Sequence, residues 1–166
     1  MATVRKPFDL ESYVARATHG PCFICRVVAG DPAFQHHVIY EDETSIAFLN
    51  KYPTLPGYTL VCPKAHKQQV TGDFSRKEYL QLQSLVHRIG EAVRRAMGAD
   101  RLYVLSLGSN EANNHVHWHL APLPAGVPLE DQQFAALDVT RGVLDLDDDA
   151  MKAIASRLRD EIAAVE

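Results

Sequence analysis

At 166 residues, with 46% hydrophobic and 23% charged residues, the chain has the length and composition of one folded domain with extensions, and disorder is not indicated. A net charge of −4 with no Lys/Arg cluster argues against holding a nucleic-acid polymer by counterion release, while a small phosphorylated ligand held by a few aimed donors stays compatible. Residues 1–10 carry no signal-like apolar run and no stretch approaches the roughly 18 apolar residues of a membrane span, so no membrane partner and a cytoplasmic location are expected; three unevenly placed cysteines agree with a reducing compartment.

Asp9 is a plausible N-cap for a short helix over 9–17, with Leu10, Tyr13, Val14 and Ala17 as the apolar stripe that packs it on the domain. His19-Gly20-Pro21 breaks the chain, and a second short helix runs from Cys22 to a glycine stop at Gly30. Its Cys22-x-x-Cys25 spacing suits two thiolates on one metal ion, a redox pair, or two packed thiols. Val38–Tyr40 and Ser45–Asn50 form a hairpin across the turn-like 41–44, a loop with two prolines and a glycine follows, and residues 58–63 make a third strand with Cys62 in the core.

Residues 75–97 carry the clearest helix signal: a Ser75/Glu78 capping box, an apolar stripe of Leu82, Leu85, Val86, Ile89, Val93 and Met97, and Gly98 at the C-terminal stop. A fourth strand over 101–108 and a polar turn over 109–114 lead into His115-Val-His117-Trp-His119-Leu. That period-two alternation predicts a half-buried strand with three imidazoles on one face and Val116, Trp118 and Leu120 on a core. Such a face suits a metal site, with all three imidazoles on one catalytic ion, or a phosphate site in which one neutral imidazole is the nucleophile. Beyond Pro128, residues 129–137 suggest a helical piece, and the acidic 145–149 run opens an amphipathic helix that covers a surface or a partner chain. The order of elements reads as α+β, built on a mainly antiparallel five-stranded sheet with one long and one short helix and with helical extensions at both ends.

His115-Val-His-Trp-His-Leu-Ala121 resembles the histidine triad motif, and the likeness extends to Cys22–Cys25, Ala47–Asn50, Pro56-Gly57-Tyr-Thr-Leu-Val-Cys-Pro63 and Lys64-Ala-His66 in the order that family uses. It covers roughly 22–124 as a histidine triad domain, leaving 1–21 and 125–166 as extensions, and Asn50 with Pro53 and Pro56-Gly57 looks most like the fragile histidine triad branch, whose members hydrolyse diadenosine polyphosphates. The resemblance implies a homodimer with a small nucleotide substrate. His117 would attack the α-phosphorus to give a nucleotidyl-histidine that water hydrolyses, His119 would donate to a phosphate oxygen, and His115 would position, protonate or serve a metal. Asn50 would contact the ribose.

A neutral nucleophile needs its other ring nitrogen hydrogen-bonded, most easily to a backbone carbonyl. By resemblance Cys22, Cys25, His66 and His115 would form a structural zinc site, and no organic cofactor is implied. The turn before the triad lacks the family's Gly-Gln and Ser/Thr, so Ser109 and Asn113 are expected at the phosphate, and Pro122-Leu-Pro stands where the family has an arginine. A phosphorylase, a nucleoside phosphoramidase, or a nucleotide-binding adaptor with little turnover are the alternatives.

Overall fold

A computed structural model describes residues 4–165; residues 1–3 and Glu166, the outermost positions of the two extensions, lie outside the described residues. Helix α1 (Leu10–His19) and α2 (Phe23–Val28) follow a two-residue strand β1 (Arg5–Lys6). Strands β2 (Val38–Glu41), β3 (Ser45–Leu49) and β4 (Thr59–Pro63) precede the long helix α3 (Arg76–Met97). Then come β5 (Ala99–Ser106), β6 (Trp118–Pro124), the single-turn α4 (Phe134–Leu137), β7 (Val143–Leu144) and α5 (Asp148–Ala164). The five-stranded sheet has the order β2-β3-β4-β6-β5 and every pairing in it is antiparallel, so the expected α+β architecture holds.

Local chemistry explains the elements. Asp42 turns the β2–β3 hairpin by accepting from the backbone N–H of Thr44 at 2.8 Å and of Ser45 at 2.7 Å. Ser75 and Glu78 form the capping box on α3: the Glu78 carboxylate accepts from the Ser75 N–H at 2.7 Å and the Ser75 hydroxyl from the Glu78 N–H at 3.3 Å. Gly98 ends the helix in the left-handed conformation at φ 59°. Gly57 has φ 77°, and a Cβ there would stand 2.6 Å from Met97 Cγ, so only glycine allows the loop to lie on the end of α3 before β4 begins.

Strand alternation divides the core. Ala47, Leu49, Val61, Val116, Trp118 and Leu120 face α3 and α5, whereas Ile46, Phe48, Leu60, Cys62, Ala121 and Leu123 face α2 and the loops above it. His119 lies between Trp118 and Leu120 and takes the second face, opposite Leu60 of β4 and Leu105 of β5.

One expectation is corrected, that of the histidine strand, and two helices gain their partners. Helix α1 packs on the domain at the rim of a cavity and outside the core: no residue of α1 is buried, and Leu10 and Val14 are 42% and 51% exposed. The histidine strand begins only at Trp118, so His115 and His117 occupy an irregular approach segment. The C-terminal helix covers a surface of this same chain, one of the two outcomes expected: Ala155, Leu158 and Ile162 of α5 are buried with α3 in the main core. A two-stranded ladder also appears that the sequence pattern does not announce, with Arg5 opposite Leu144 and Lys6 opposite Val143. Among the described residues no helix is long and apolar enough to cross a membrane.

Candidate functional site

A cavity of about 580 Å³ opens on the α2 side of the sheet, with His117 and His119 at its wall. The irregular segment before β6 is held by two backbone-directed contacts. The Val116 N–H donates to the Lys67 carbonyl at 2.7 Å, and the Ser106 hydroxyl donates to the His117 carbonyl at 2.8 Å. With the main chain so fixed, the three imidazoles take three different environments.

His117 is 5% exposed, and its Nδ1–H donates to the His115 carbonyl at 2.7 Å. A carbonyl only accepts, so this bond fixes the tautomer and leaves Nε2 with its lone pair. Burial pushes the His117 pKa below the ordinary imidazole value. His119 places Nδ1 3.1 Å from the Tyr58 hydroxyl, while its Nε2 is buried without any partner among the described residues. Burial, then the neighbouring His117, pushes its pKa down to about 3, so the ring stays neutral. Tyr58, pushed up to about 12 by burial, keeps its proton.

His115 faces a different group. Its Nε2–H donates to the Pro63 carbonyl at 2.8 Å, which turns Nδ1 toward Cys22 Sγ at 3.4 Å and Cys25 Sγ at 3.5 Å; His66 Nδ1 closes the group 3.3 Å from Cys25 Sγ. The four ligand atoms lie within 4.8 Å of one another. Zinc–sulfur bonds of about 2.3 Å and zinc–nitrogen bonds of about 2.0 Å make a tetrahedron with a sulfur–nitrogen edge of about 3.5 Å, so this donor set fits the metal. The carbonyl behind His115 is the kind of orienting partner such ligands use. Burial and the Cys22 thiol beside it push the Cys25 thiol up to about 11, which a cation between the two sulfurs would reverse. His115 is the one triad histidine in the cluster, so the three imidazoles do not converge on a common ion.

The expected nucleotide contacts divide. Asn50 lines the cavity and its Oδ1 accepts from the Tyr52 N–H at 2.9 Å. Asn113 also lines it, in the left-handed conformation at φ 52°, but its Nδ2 donates to the Tyr13 hydroxyl at 2.7 Å. Ser109 is not among the lining residues: its hydroxyl donates to the Ala112 carbonyl at 2.8 Å and closes its own turn. Sequence reading missed Tyr58, Phe23 and His36. Period two from Leu60 and Cys62 places Tyr58 on the His119 face, a signal that pairing the two strands would have exposed. Phe23 stands 6.2 Å from His117 and 6.0 Å from His36, and no sequence pattern brings those three rings together.

The HIT domain model matches residues 32–125. An uncharacterized HIT-like protein of Saccharolobus solfataricus is 31% identical over 104 residues, covering 61% of this chain and 73% of that one. The adenosine 5′-monophosphoramidase of Schizosaccharomyces pombe is 32% identical over 62% of this chain and 74% of its own. The bis(5′-adenosyl)-triphosphatase of Dictyostelium discoideum is 32% identical over 53% of this chain and 60% of its own. A zinc-bound histidine triad family protein from Mycobacterium smegmatis superposes with a TM-score of 0.68 at 26% identity, covering 86% of this chain and 94% of that one. The chain belongs to the HIT domain family, the histidine triad family that its motif resembles.

Proposed function

We propose that the protein is a nucleotide hydrolase that cleaves a dinucleoside polyphosphate or nucleotide conjugate at the α-phosphorus through a nucleotidyl-His117 intermediate. The observation that carries this reading is the 2.7 Å bond from His117 Nδ1–H to the His115 carbonyl, which prepares Nε2 as a neutral nucleophile beside the cavity. In the first step Nε2 bonds to the α-phosphorus and the bond from phosphorus to the leaving group breaks. In the second, water attacks phosphorus, the P–N bond breaks and His117 returns to its starting form. The Tyr58 hydroxyl donating to His119 Nδ1 leaves the hydrogen on Nε2, a donor for a non-bridging oxygen as charge builds there. Asn50 would hold the ribose. Cys22, Cys25, His66 and His115 would hold zinc, whose part is to brace α2, the segment after β4 and the triad approach against one another.

The names of two relatives, a triphosphatase and a monophosphoramidase, support cleavage next to a nucleoside phosphate and leave two leaving-group classes open, phosphate and amine. Edge strand β5 leaves Val104 51% exposed, and Leu107 just beyond its end is 57% exposed, which supports a homodimer built along that edge. For the chemistry, His117→Ala is expected to abolish turnover and acid-labile labelling of the protein by a radiolabelled nucleotide while nucleotide binding persists. Turnover within a few-fold of the wild type would sink the covalent mechanism; binding without turnover by the wild type would favour an adaptor.

A further inference from the structure

Helix α1 lies outside the residues that the family model matches, yet it supplies Tyr13, Arg16 and Ala17 to the cavity that His117 and His119 line. Its contacts are spent on the rim. Asn113 Nδ2 donates to the Tyr13 hydroxyl at 2.7 Å, and the Tyr13 ring meets Phe8 at 5.3 Å and Tyr52 at 6.0 Å between centroids, while no residue of α1 is buried in the core. The helix therefore bridges the loop that carries Asn113 and the loop that carries Asn50 to Tyr52.

Arg16 stands one turn after Tyr13 and so shares the helix face that looks onto the cavity. Lys51, between Asn50 and Tyr52, lines the same space. Both side chains are exposed, and neither takes part in any ion pair among the described residues. Glu111 is the one acid among the lining residues, so the mouth carries two uncommitted cations in a chain whose net charge is −4. A guanidinium and an ammonium suit phosphate oxygens, the first as a planar two-point donor and the second as a point charge.

We infer that α1 is one wall of a leaving-group subsite, in which Arg16 and Lys51 hold the phosphates beyond the α-phosphate and select nucleotides with a phosphate-bearing leaving group over those with a neutral one. The inference rests on the assignment of His117 to the α-phosphorus, from which the leaving group departs on the side opposite Nε2. It names the substrate class as polyphosphate. Lys51 comes from the family core and Arg16 from this chain's own extension, so the selectivity belongs to the pairing of the two.

The test is a calorimetric titration of the full chain with AMP and with α,β-methylene-ATP, which cannot be cleaved at the α-phosphorus; the quantity read is the ratio of the two affinities. The wild type is expected to prefer the triphosphate. Arg16→Ala and Lys51→Ala should each reduce that preference by about tenfold, the scale of one charge-assisted hydrogen bond, and Arg16→Lys should restore part of it. If α1 merely props the loops, Arg16→Ala lowers both affinities together, the ratio stands, and the subsite is overturned. A wild type with no preference for the triphosphate, absence of binding included, overturns it as well. Because the readout needs no turnover, a chain that shows the ratio shift but never labels His117 keeps the subsite and loses the hydrolase mechanism.

Discussion

Tyr58 places a single hydroxyl against one ring nitrogen of His119. His119 has two ring nitrogens, and the one not held by Tyr58 is buried without a partner among the described residues, an arrangement that costs stability unless a ligand completes it. Tyr58→Phe keeps the ring packing and removes the bond. We expect kcat to fall about tenfold, as for the loss of roughly 1.4 kcal/mol of preferential transition-state stabilisation, with KM nearly unchanged. An unaltered kcat in steady-state assays would show that His119 does not depend on Tyr58. The histidines themselves were legible in the sequence because alternation with Val116, Trp118 and Leu120 is local information. Tyr58 was not, because its role exists only once β4 pairs with β6.

Among the elements, α3 shows most clearly how local chemistry sets structure. Its capping box holds the Glu78 carboxyl down at about 2, through hydrogen bonds with Ser75 first and with Lys67 after that. A carboxyl whose folded pKa lies below its unfolded value near 4.5 adds stability that is complete above about pH 4.5 and disappears as the pH falls through about 2. Glu78→Gln should therefore lower the thermal midpoint at pH 7 and narrow the difference from the wild type between pH 4.5 and 2, as followed by circular dichroism. A constant difference across that window would exclude the carboxylate as its source.

Helix α3 was readable end to end because cap, stripe and stop are all encoded within its own residues. Helix α1 shows the converse. Its Asp9 cap was readable, since the side chain accepts from the Ser12 N–H at 3.0 Å, but its apolar stripe showed only that the helix lies on the domain and not that it lies over a cavity. Amphipathic spacing reports a face, and what that face meets is set by elements far away in the chain.

At the scale of the whole molecule, the extensions act on the site from behind. Arg5 donates to the Gly142 carbonyl at 2.6 Å and to the Thr54 carbonyl at 2.9 Å, and the Leu144 N–H donates to the Pro53 carbonyl at 2.8 Å. The β1–β7 ladder thus backs the loop that carries Asn50 and Lys51. The cysteine–histidine cluster ties three further segments, so a bound zinc would stabilise the fold without entering the chemistry. Dialysis against a chelator should lower the thermal midpoint, and Cys25→Ser should lose bound metal by elemental analysis, while the folded metal-free fraction still labels His117. Loss of activity with an unchanged midpoint, restored by zinc, would instead make the metal catalytic. If β5 forms the dimer edge, light scattering should give the mass of two chains for the wild type and of one for Val104→Asp. A monomeric wild type would discard that interface.

The sequence by itself determined the sheet-and-helix order, the capped long helix, the hairpin and the alternation that sets three histidines against a hydrophobic face, because each depends on neighbours within a few turns of chain. The resemblance also brought Cys22, Cys25, His66 and His115 together as candidates. Tertiary structure decided how the histidines divide their surroundings: one carbonyl turns His115 to the cysteines, another fixes the tautomer of His117, and a tyrosine from β4's entry meets His119. It also decided that α1 faces a cavity and α5 a core. These outcomes turn on which distant surfaces meet, and a hydrogen bond across 52 or 61 residues leaves no period in the sequence by which to read it.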